Sequence, residues 1–152
     1  MMKAGKYTVY VLETGRFALD GGAVFGVIPK ALWSQRVTTD EKNRTSMTLR
    51  SILIVGSGCQ ILVDTGFGEG YSDKIRKIYR MDTVSVNLKN SLVALGFTFD
   101  DITDVIFTHL HFDHANGAID QSKKLPLFSN ATYLCPEAQF RMSDVTVGIR
   151  PR

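Results

Sequence analysis

Cysteine is scarce in this chain of 152 residues, which contains only two. Cys59 and Cys135 lie far apart, and neither has a second cysteine or a histidine at the spacing that metal ligands need. This pattern excludes a disulfide framework and a thiolate zinc site. We therefore predict that both residues are ordinary buried thiols.

Long apolar runs are also absent from the sequence. The N-terminus from Met1 to Lys6 has no apolar signal core, and no stretch is long enough to span a membrane. The sequence therefore predicts a cytoplasmic protein that does not act in a membrane.

The chain has no strong excess of charge of either sign. Its formal net charge is +3, and its lysines and arginines are scattered along the chain. Because no basic stripe is present, a nucleic-acid partner is not expected. The length and the hydrophobic content of 44% predict one packed domain over residues 1–152.

Histidine occurs only three times, and His109, His111 and His114 lie within six residues of one another. In an extended backbone alternate residues share a face, so His109, His111 and Asp113 would point the same way. In a helix, His109 and His111 would lie on nearly opposite sides and could not bind one ion. We therefore predict an extended segment at the exit of a strand, with a turn after Asp113 that brings His114 to the same face. Neutral imidazoles and a carboxylate suit zinc and similar metals, so the segment is a candidate metal site. The alternative interpretation is a surface loop that happens to be polar.

Alternation and apolar runs elsewhere predict a sheet with short helices. Strands are expected at 7–12, 16–19, 46–55, 59–63, 104–107 and 131–135. Helices are expected at 29–35, 72–79, 86–95 and 136–142, and loops at 20–26 and 38–45. The helices are expected to bury Leu32, Trp33, Ile75, Ile78, Tyr79, Leu88, Leu92 and Leu95.

Asp64 follows the strand predicted at 59–63 and begins a glycine-rich loop. An aspartate in this position commonly caps the turn or helix that follows it. Beside a metal motif, it is equally suited to orient a ligand histidine. The two roles are compatible, and both stay open at this point.

Two motifs together resemble the metallo-β-lactamase superfamily. Residues 109–114 read His-Leu-His-Phe-Asp-His, similar to the family hallmark His-x-His-x-Asp-His, and residues 61–66 are similar to its earlier strand that ends in Asp-x-Gly. Residues 19–33 also look like the N-terminal segment of the quorum-quenching N-acyl-homoserine lactonases and their organophosphate-hydrolase-like relatives. Gly22 and Phe25, from that segment, are candidates for a substrate pocket.

The resemblance implies an α+β fold, in which a mixed β-sheet with flanking helices forms about the first half of a four-layer αββα sandwich. It also implies a site for two zinc ions, or other divalent metals, with His109 and His111 on the first ion and Asp113 and His114 on the second. A metal-bound hydroxide would open a small lactone or ester, and Asp113 would be a ligand first and a proton shuttle second. Asp64 would orient a ligand histidine.

The sequence departs from the family pattern because it has no histidine after His114. The family completes both metal sites with later residues, so we expect a chain cut short at its C-terminus. Two ligands for each metal predict weak metal binding by this chain alone. We also expect an exposed apolar sheet face that pairs with another copy or with the missing half.

Three alternatives stay open. Hydrolases of phosphotriesters, thioesters or other esters share the same first-half motif. A non-catalytic fragment or binding module would carry the motif without the remaining ligands. Redox proteins of this fold hold iron through a different ligand set.

Overall fold

The structure of the protein, a computed structural model, describes residues 1–141. The strands in this range are β1 Met2–Ala4, β2 Tyr7–Asp20, β3 Arg44–Gly56, β4 Cys59–Val63, β5 Asp104–Ile106, β6 Ile119–Asp120, β7 Leu125–Pro126 and β8 Thr132–Leu134. The α-helices are α1 Gly21–Phe25, α2 Lys30–Trp33, α3 Asp73–Tyr79, α4 Leu88–Val93 and α5 Phe112–Ala115. Single 3₁₀ turns lie at Phe99–Asp101 and Asn116–Ala118.

One mixed sheet organises these elements. Its strand order is β1-β2-β3-β4-β5-β8, and β6 and β7 form a separate pair. Strands β1 to β4 are antiparallel neighbours, whereas β4, β5 and β8 run parallel. The carboxyl ends of β4 and β5 therefore meet at the same edge of the sheet. Residues 109–114, which we call the histidine segment, follow from that edge.

Strand β2 is longer than the sequence predicted. The separate strands expected at 7–12 and 16–19 are one strand, and the register against β3 shifts between Glu13 and Gly15. Thr14 is therefore the extra residue of a bulge, which bends a strand without ending it. Strand β3 begins at Arg44, so the loop expected at 38–45 is two residues shorter than predicted.

The prediction of a loop at 20–26 is wrong, because most of this segment forms helix α1. The Asp20 side chain caps that helix and accepts hydrogen bonds from the backbone N–H groups of Gly22 at 2.8 Å and Ala23 at 3.3 Å. A Cβ atom placed on Gly21 would lie 2.3 Å from the Trp33 ring. Glycine is therefore required at this position by close packing.

The other helices lie near their predicted positions but are short. Ser72 caps α3 as expected, whereas α2 ends at Trp33 and α4 ends at Val93. A helical turn at 137–141 agrees with the helix predicted at 136–142, whose last residue lies outside the described range.

Three side chains that we expected to be buried are exposed instead. Leu32 is 60% exposed, Ile78 is 47% exposed and Leu95 is 37% exposed. A helix of one or two turns buries few side chains, and here these are chiefly Trp33 in α2 and Leu88 and Leu92 in α4.

The core consists of two apolar clusters on the helix-bearing side of the sheet. The larger one includes Leu12, Leu53, Leu62, Leu92, Ile102, Val105 and Phe128. The smaller one contains Phe17, Leu49, Phe67 and Met81, with Phe112 of α5 packed against it. Both clusters contact the histidine segment, because Leu110 packs on the larger one and Phe112 on the smaller one.

Both cysteines are free thiols, as predicted, but they are only half-buried and not fully buried. Cys59 follows the turn between β3 and β4, and Cys135 follows β8, which is an edge strand. Positions at strand ends and sheet edges keep part of their surface in contact with water.

The opposite side of the sheet carries an apolar surface, which we call the open face. Strand register places the following side chains together on it: Val9, Val11, Ile52, Ile54, Ile61, Val63, Ile106 and Leu134. Val11 is 62% exposed and Leu134 is 48% exposed. The exposed sheet face expected from the sequence is therefore present.

In the part of the chain that the structure describes, no helix is both long enough and apolar enough to cross a membrane.

Asp40 connects the start of β3 to the end of α3. Its carboxylate accepts hydrogen bonds from the backbone N–H groups of Lys42 and Arg44, from Nε of Arg44 at 2.9 Å and from Arg80 at 3.3 Å. The backbone hydrogen bond from Arg44, followed by that from its side chain, holds the pKa of Asp40 well below its usual value of 3.8.

This network predicts acid sensitivity. Because the folded pKa lies below the unfolded value, the stabilisation is present above the unfolded pKa and is lost as the pH falls through the folded pKa. Asp40→Asn should therefore lower the free energy of unfolding at neutral pH, and its difference from wild type should shrink below about pH 4. Urea unfolding at several pH values measures this. Glu41→Gln is the exposed neighbouring control, and a pH-independent difference for Asp40→Asn would contradict the prediction.

Candidate active site

The histidine segment leaves β5 and turns into α5 earlier than predicted. The backbone is extended through His111, which has φ −65° and ψ 152°, and the helix begins at Phe112. Asp113 and His114 therefore lie in the first turn of α5, and the predicted extended run through Asp113 is wrong. The turn lets the Phe112 ring stack against Phe67, with ring centroids 5.5 Å apart.

The turn brings all three imidazoles together. The His109 ring centroid lies 4.7 Å from that of His111 and 4.0 Å from that of His114. Nε2 of His114 is 3.6 Å from an Asp113 carboxylate oxygen. The four residues predicted as metal ligands are therefore neighbours in the structure.

Asp64 lies directly behind this cluster, at the end of β4. Its carboxylate accepts hydrogen bonds from the backbone N–H of Thr108 at 2.8 Å and from the Thr108 hydroxyl at 2.7 Å. Its Oδ2 atom also lies 2.9 Å from Nδ1 of His114. The partners of this side chain are therefore Thr108, just beyond β5, and His114 in α5, and not the turn that a local cap would serve. These contacts suit the orienting role, which stays a prediction.

These hydrogen bonds determine which ring nitrogen carries the proton in two histidines. A carboxylate only accepts, so Nδ1 of His114 donates to Asp64, and in the neutral form of the ring the lone pair is on Nε2. The Thr108 hydroxyl has one proton, which goes to Asp64, and its oxygen lies 3.0 Å from Nδ1 of His109. Nδ1 of His109 is therefore also a donor, which leaves Nε2 of His109 free to bind a ligand.

The protonation of His109 agrees with this assignment. Burial lowers the pKa of His109 below its usual value, and the neighbouring His114 and His111 lower it further. The ring is therefore neutral at neutral pH, which is the form that binds metals.

Backbone contacts hold α5 against the loop that follows Asp64. The N–H and the hydroxyl of Thr65 both donate to the carbonyl oxygen of His114, at 2.7 Å and 3.0 Å. The N–H of Gly117 donates to the carbonyl of Gly66 at 2.9 Å. The sequence did not single out Thr65 or Thr108 as part of the site, although Thr108 directly precedes the motif.

Tyr71 is a further neighbour that the sequence did not reveal. The Asn116 side-chain amide donates to its hydroxyl at 2.7 Å. Burial raises the pKa of Tyr71, the hydrogen bond from Asn116 opposes that shift, and the charge of Asp113 adds to it. The phenol therefore lies in the electrostatic field of Asp113.

A cavity of about 280 Å³ adjoins this cluster and is lined by Asp64, Asp113 and His114. Phe17, Met47 and Leu49 form much of its apolar wall. The predicted pocket residues lie elsewhere: Gly22 is exposed in α1 and Phe25 stacks on Trp33 at 4.7 Å. Neither lines this cavity, and their role in a substrate pocket stays a prediction.

The side-chain types at the site suit zinc, but their arrangement does not form a complete zinc site. Imidazole and carboxylate are zinc ligands. However, among residues 1–141 no group of three or more His, Cys, Asp and Glu side chains is placed to hold a metal ion. The described residues therefore supply suitable ligands without closing a complete metal site.

The hydrogen bonds to Asp64 give a direct prediction. In Asp64→Asn, the amide N–H₂ would replace one acceptor oxygen, so Nδ1 of His114 would lose its acceptor and the proton would move to Nε2. We expect zinc affinity to fall by about 10–100-fold, the usual loss for the hydrogen-bond partner of a ligand histidine. A competition titration measures the affinity, and ¹⁵N NMR of the imidazoles reads the tautomer without metal. Asp73→Asn is the exposed control, and an unchanged His114 tautomer would contradict the prediction.

A mixed sheet with an aspartate and a His-x-His-x-Asp-His segment at the ends of adjacent parallel strands is typical of metal-dependent hydrolases. Residues 50–127 match the family model of the metallo-beta-lactamase superfamily. The chain belongs to this superfamily, and its mixed sheet with flanking helices is the expected fold.

Solved structures agree with this assignment. A probable metal-dependent hydrolase from Staphylococcus aureus is 33% identical, with a TM-score of 0.84 over 92% of this chain and 50% of that one. AidC, a dizinc quorum-quenching lactonase, is 22% identical, with a TM-score of 0.70 over 93% and 45% of the two chains. A quorum-quenching N-acyl homoserine lactone lactonase is 25% identical, with a TM-score of 0.61 over 89% and 48%.

The chain spans about half the length of these solved structures. No match was found among curated proteins.

Proposed function

We propose that the protein is a metal-dependent hydrolase that opens lactone or ester bonds in small molecules, with N-acyl-homoserine lactones as the leading substrate class. The observation that carries this proposal is a set of hydrogen bonds around Asp64, which accepts directly from Nδ1 of His114 and from the Thr108 hydroxyl, which in turn contacts Nδ1 of His109. In the neutral rings, Nε2 of both histidines is then left to bind a ligand. Orienting bonds of this kind are characteristic of metal-ligand histidines.

In this proposal, His109 and His111 hold one zinc ion, and Asp113 and His114 hold a second. The remaining ligands would come from outside residues 1–141. When bound, the metals supply a nucleophilic hydroxide and a Lewis acid for the carbonyl oxygen. Other divalent metals have the same ligand preferences in part, so zinc is the first metal to test.

The protein's own groups supply orientation and proton transfer. Asp64 and Thr108 fix two imidazole rings before any metal binds. The Asp113 carboxylate lies at the cavity next to His114, where it can carry a proton to the leaving alkoxide. Asp113 is thus the proposed catalytic residue in addition to its role as a ligand.

Two observations support a lactone or ester with an apolar part. The structural relatives include a quorum-quenching lactonase and an N-acyl homoserine lactone lactonase, both at low identity. The cavity beside Asp113 also has an apolar wall of Phe17, Met47 and Leu49, which suits an acyl group.

The open face supports a further proposal, that the sheet pairs with a second copy or with a C-terminal half. An exposed apolar face of this kind is usually covered in a folded protein. Sedimentation of the purified protein measures pairing between copies. Val11→Asp, in the middle of the open face, should shift such an assembly to monomer.

The functional test measures zinc content and hydrolysis together. Zinc-loaded protein is assayed with N-hexanoyl-homoserine lactone and with a phosphotriester, before and after chelation. Because the described residues leave both metal sites incomplete, zinc is supplied in excess. Under these conditions we expect lactone hydrolysis that is lost with a chelator and restored by zinc. Hydrolysis of the phosphotriester alone would favour the other hydrolase class, and zinc binding without any hydrolysis would favour a non-catalytic binding module.

A further inference from the structure

A second and larger cavity, of about 400 Å³, lies next to the loop that holds His114. Thr65 and Gly117 contribute to its wall, but Asp64, Asp113 and the three histidines do not. We infer that this cavity binds a small zwitterion with an apolar side chain, the chemistry of a free α-amino acid such as leucine. This inference does not depend on the proposed hydrolase activity.

The first argument is the charge of the lining. Lys89 in α4 and Glu69 in the loop after β4 both line the cavity and are exposed. Neither forms an ion pair or a side-chain hydrogen bond with another residue in the range 1–141. One ammonium and one carboxylate are therefore available to a ligand from two different elements.

Asp120, the third charged residue that lines the cavity, already has partners within the protein. Asp120 accepts hydrogen bonds from the N–H and the hydroxyl of Ser122 and from the N–H of Lys123, and it forms an ion pair with Lys123. The charges left for a ligand are thus one of each sign. A purely anionic or purely cationic ligand would use only one of them, whereas a zwitterion uses both.

The second argument is the apolar part of the lining. Leu88, Phe99, Ile119 and Leu127 line the cavity together. Its volume lies within the usual range for small-molecule sites, which are mostly apolar with a few polar groups. An aliphatic side chain matches this surface, and the charged groups match the two ends of an amino acid.

The third argument is an unsatisfied polar group in the wall. Thr14 lies between this cavity and the one beside Asp113 and lines both; it is 3% exposed, and its hydroxyl has no hydrogen-bond partner among the described residues. A buried hydroxyl without a partner is unfavourable. A polar ligand group that reaches this wall would supply the missing partner.

The test is an NMR titration of ¹⁵N-labelled full chain without metal, using three probes of similar shape. L-leucine carries both charges, 4-methylpentanoate lacks the ammonium, and 3-methylbutylamine lacks the carboxylate. We expect leucine to cause saturable shifts at the amides of Gly68, Gly70 and Gln121. Each single-charge probe should bind about 3- to 5-fold more weakly, the effect of losing one exposed charge pair.

Matched variants assign each charge to its residue. Lys89→Met should weaken leucine and 4-methylpentanoate but not 3-methylbutylamine, and Glu69→Gln should do the reverse. Lys74→Met, an exposed lysine outside the cavity, should change nothing. No saturable shift with leucine, or equal affinity for all three probes, would overturn the inference. Because neither metal nor lactone is present, its failure would leave the hydrolase proposal intact.

Discussion

Replacing His111 with alanine should weaken zinc binding by more than about 100-fold while leaving the fold intact. His111 is exposed, and its side chain makes no hydrogen bond among the described residues, only a ring contact with His109. It precedes α5 without capping it through its side chain. We therefore expect the free energy of unfolding to change by no more than about 0.5 kcal/mol, as for other exposed positions.

The effect on zinc should be much larger. If His111 is a metal ligand, its loss should exceed the roughly 10–100-fold loss that follows removal of a ligand's hydrogen-bond partner. Titration against a chromophoric chelator measures the affinity, and urea unfolding measures the stability. Lys123→Ala, an exposed change outside the cluster, is the control. Wild-type zinc affinity in a folded His111→Ala protein would show that His111 is not a ligand.

The strands that carry the site could be predicted because their sequence signals are local. Apolar runs bounded by turns identified β4 and β5, and residues 109–114 identified the ligand candidates. The contact between Asp64 and His114 could not be predicted from local patterns, because the two residues are 50 positions apart. That contact is defined only when β4 and β5 pair as parallel neighbours.

The wrong predictions for residues 20–26 and for Leu32 have a common cause. Local sequence patterns do not show which other parts of the chain pack against a residue. Helix α1 forms at a glycine-rich segment because the Asp20 side chain caps it and Trp33 packs against Gly21. In the same way, Leu32 was predicted to be buried from its spacing, but the short helix α2 turns only Trp33 into the structure. Burial depends on tertiary packing, which spacing along one helix does not define.

The early turn at Phe112 has the same origin. Alternation predicted an extended segment through Asp113, but the aromatic ring of Phe112 gains a place beside Phe67 and Tyr79 when the helix starts one residue before Asp113. The three imidazoles converge by this turn and not by a shared strand face. The sequence thus identified the candidate ligands but not the geometry that joins them.

Gly117→Ala should be among the most destabilising single changes in the chain. A Cβ atom at this position would lie 2.2 Å from the carbonyl oxygen of Thr65 and 3.2 Å from that of Gly66. These are backbone atoms and cannot move aside as a flexible side chain does. The two loops would have to separate, which would stretch the hydrogen bond from Gly117 N–H to Gly66 and those from Thr65 to the His114 carbonyl.

We expect Gly117→Ala to lower the free energy of unfolding by about 3 kcal/mol or more, the range of severe overpacking. Gly26→Ala is the control, because a Cβ there meets nothing within 4 Å and only the backbone conformation, φ 56° and ψ −121°, opposes it. That control should cost about 1–3 kcal/mol, the range for sparsely populated backbone conformations. Urea unfolding followed by circular dichroism compares the two variants. A loss no larger for Gly117→Ala than for Gly26→Ala would mean that the loop carrying Thr65 does not approach α5 this closely. The position of His114 would then have to be fixed by Asp64 alone.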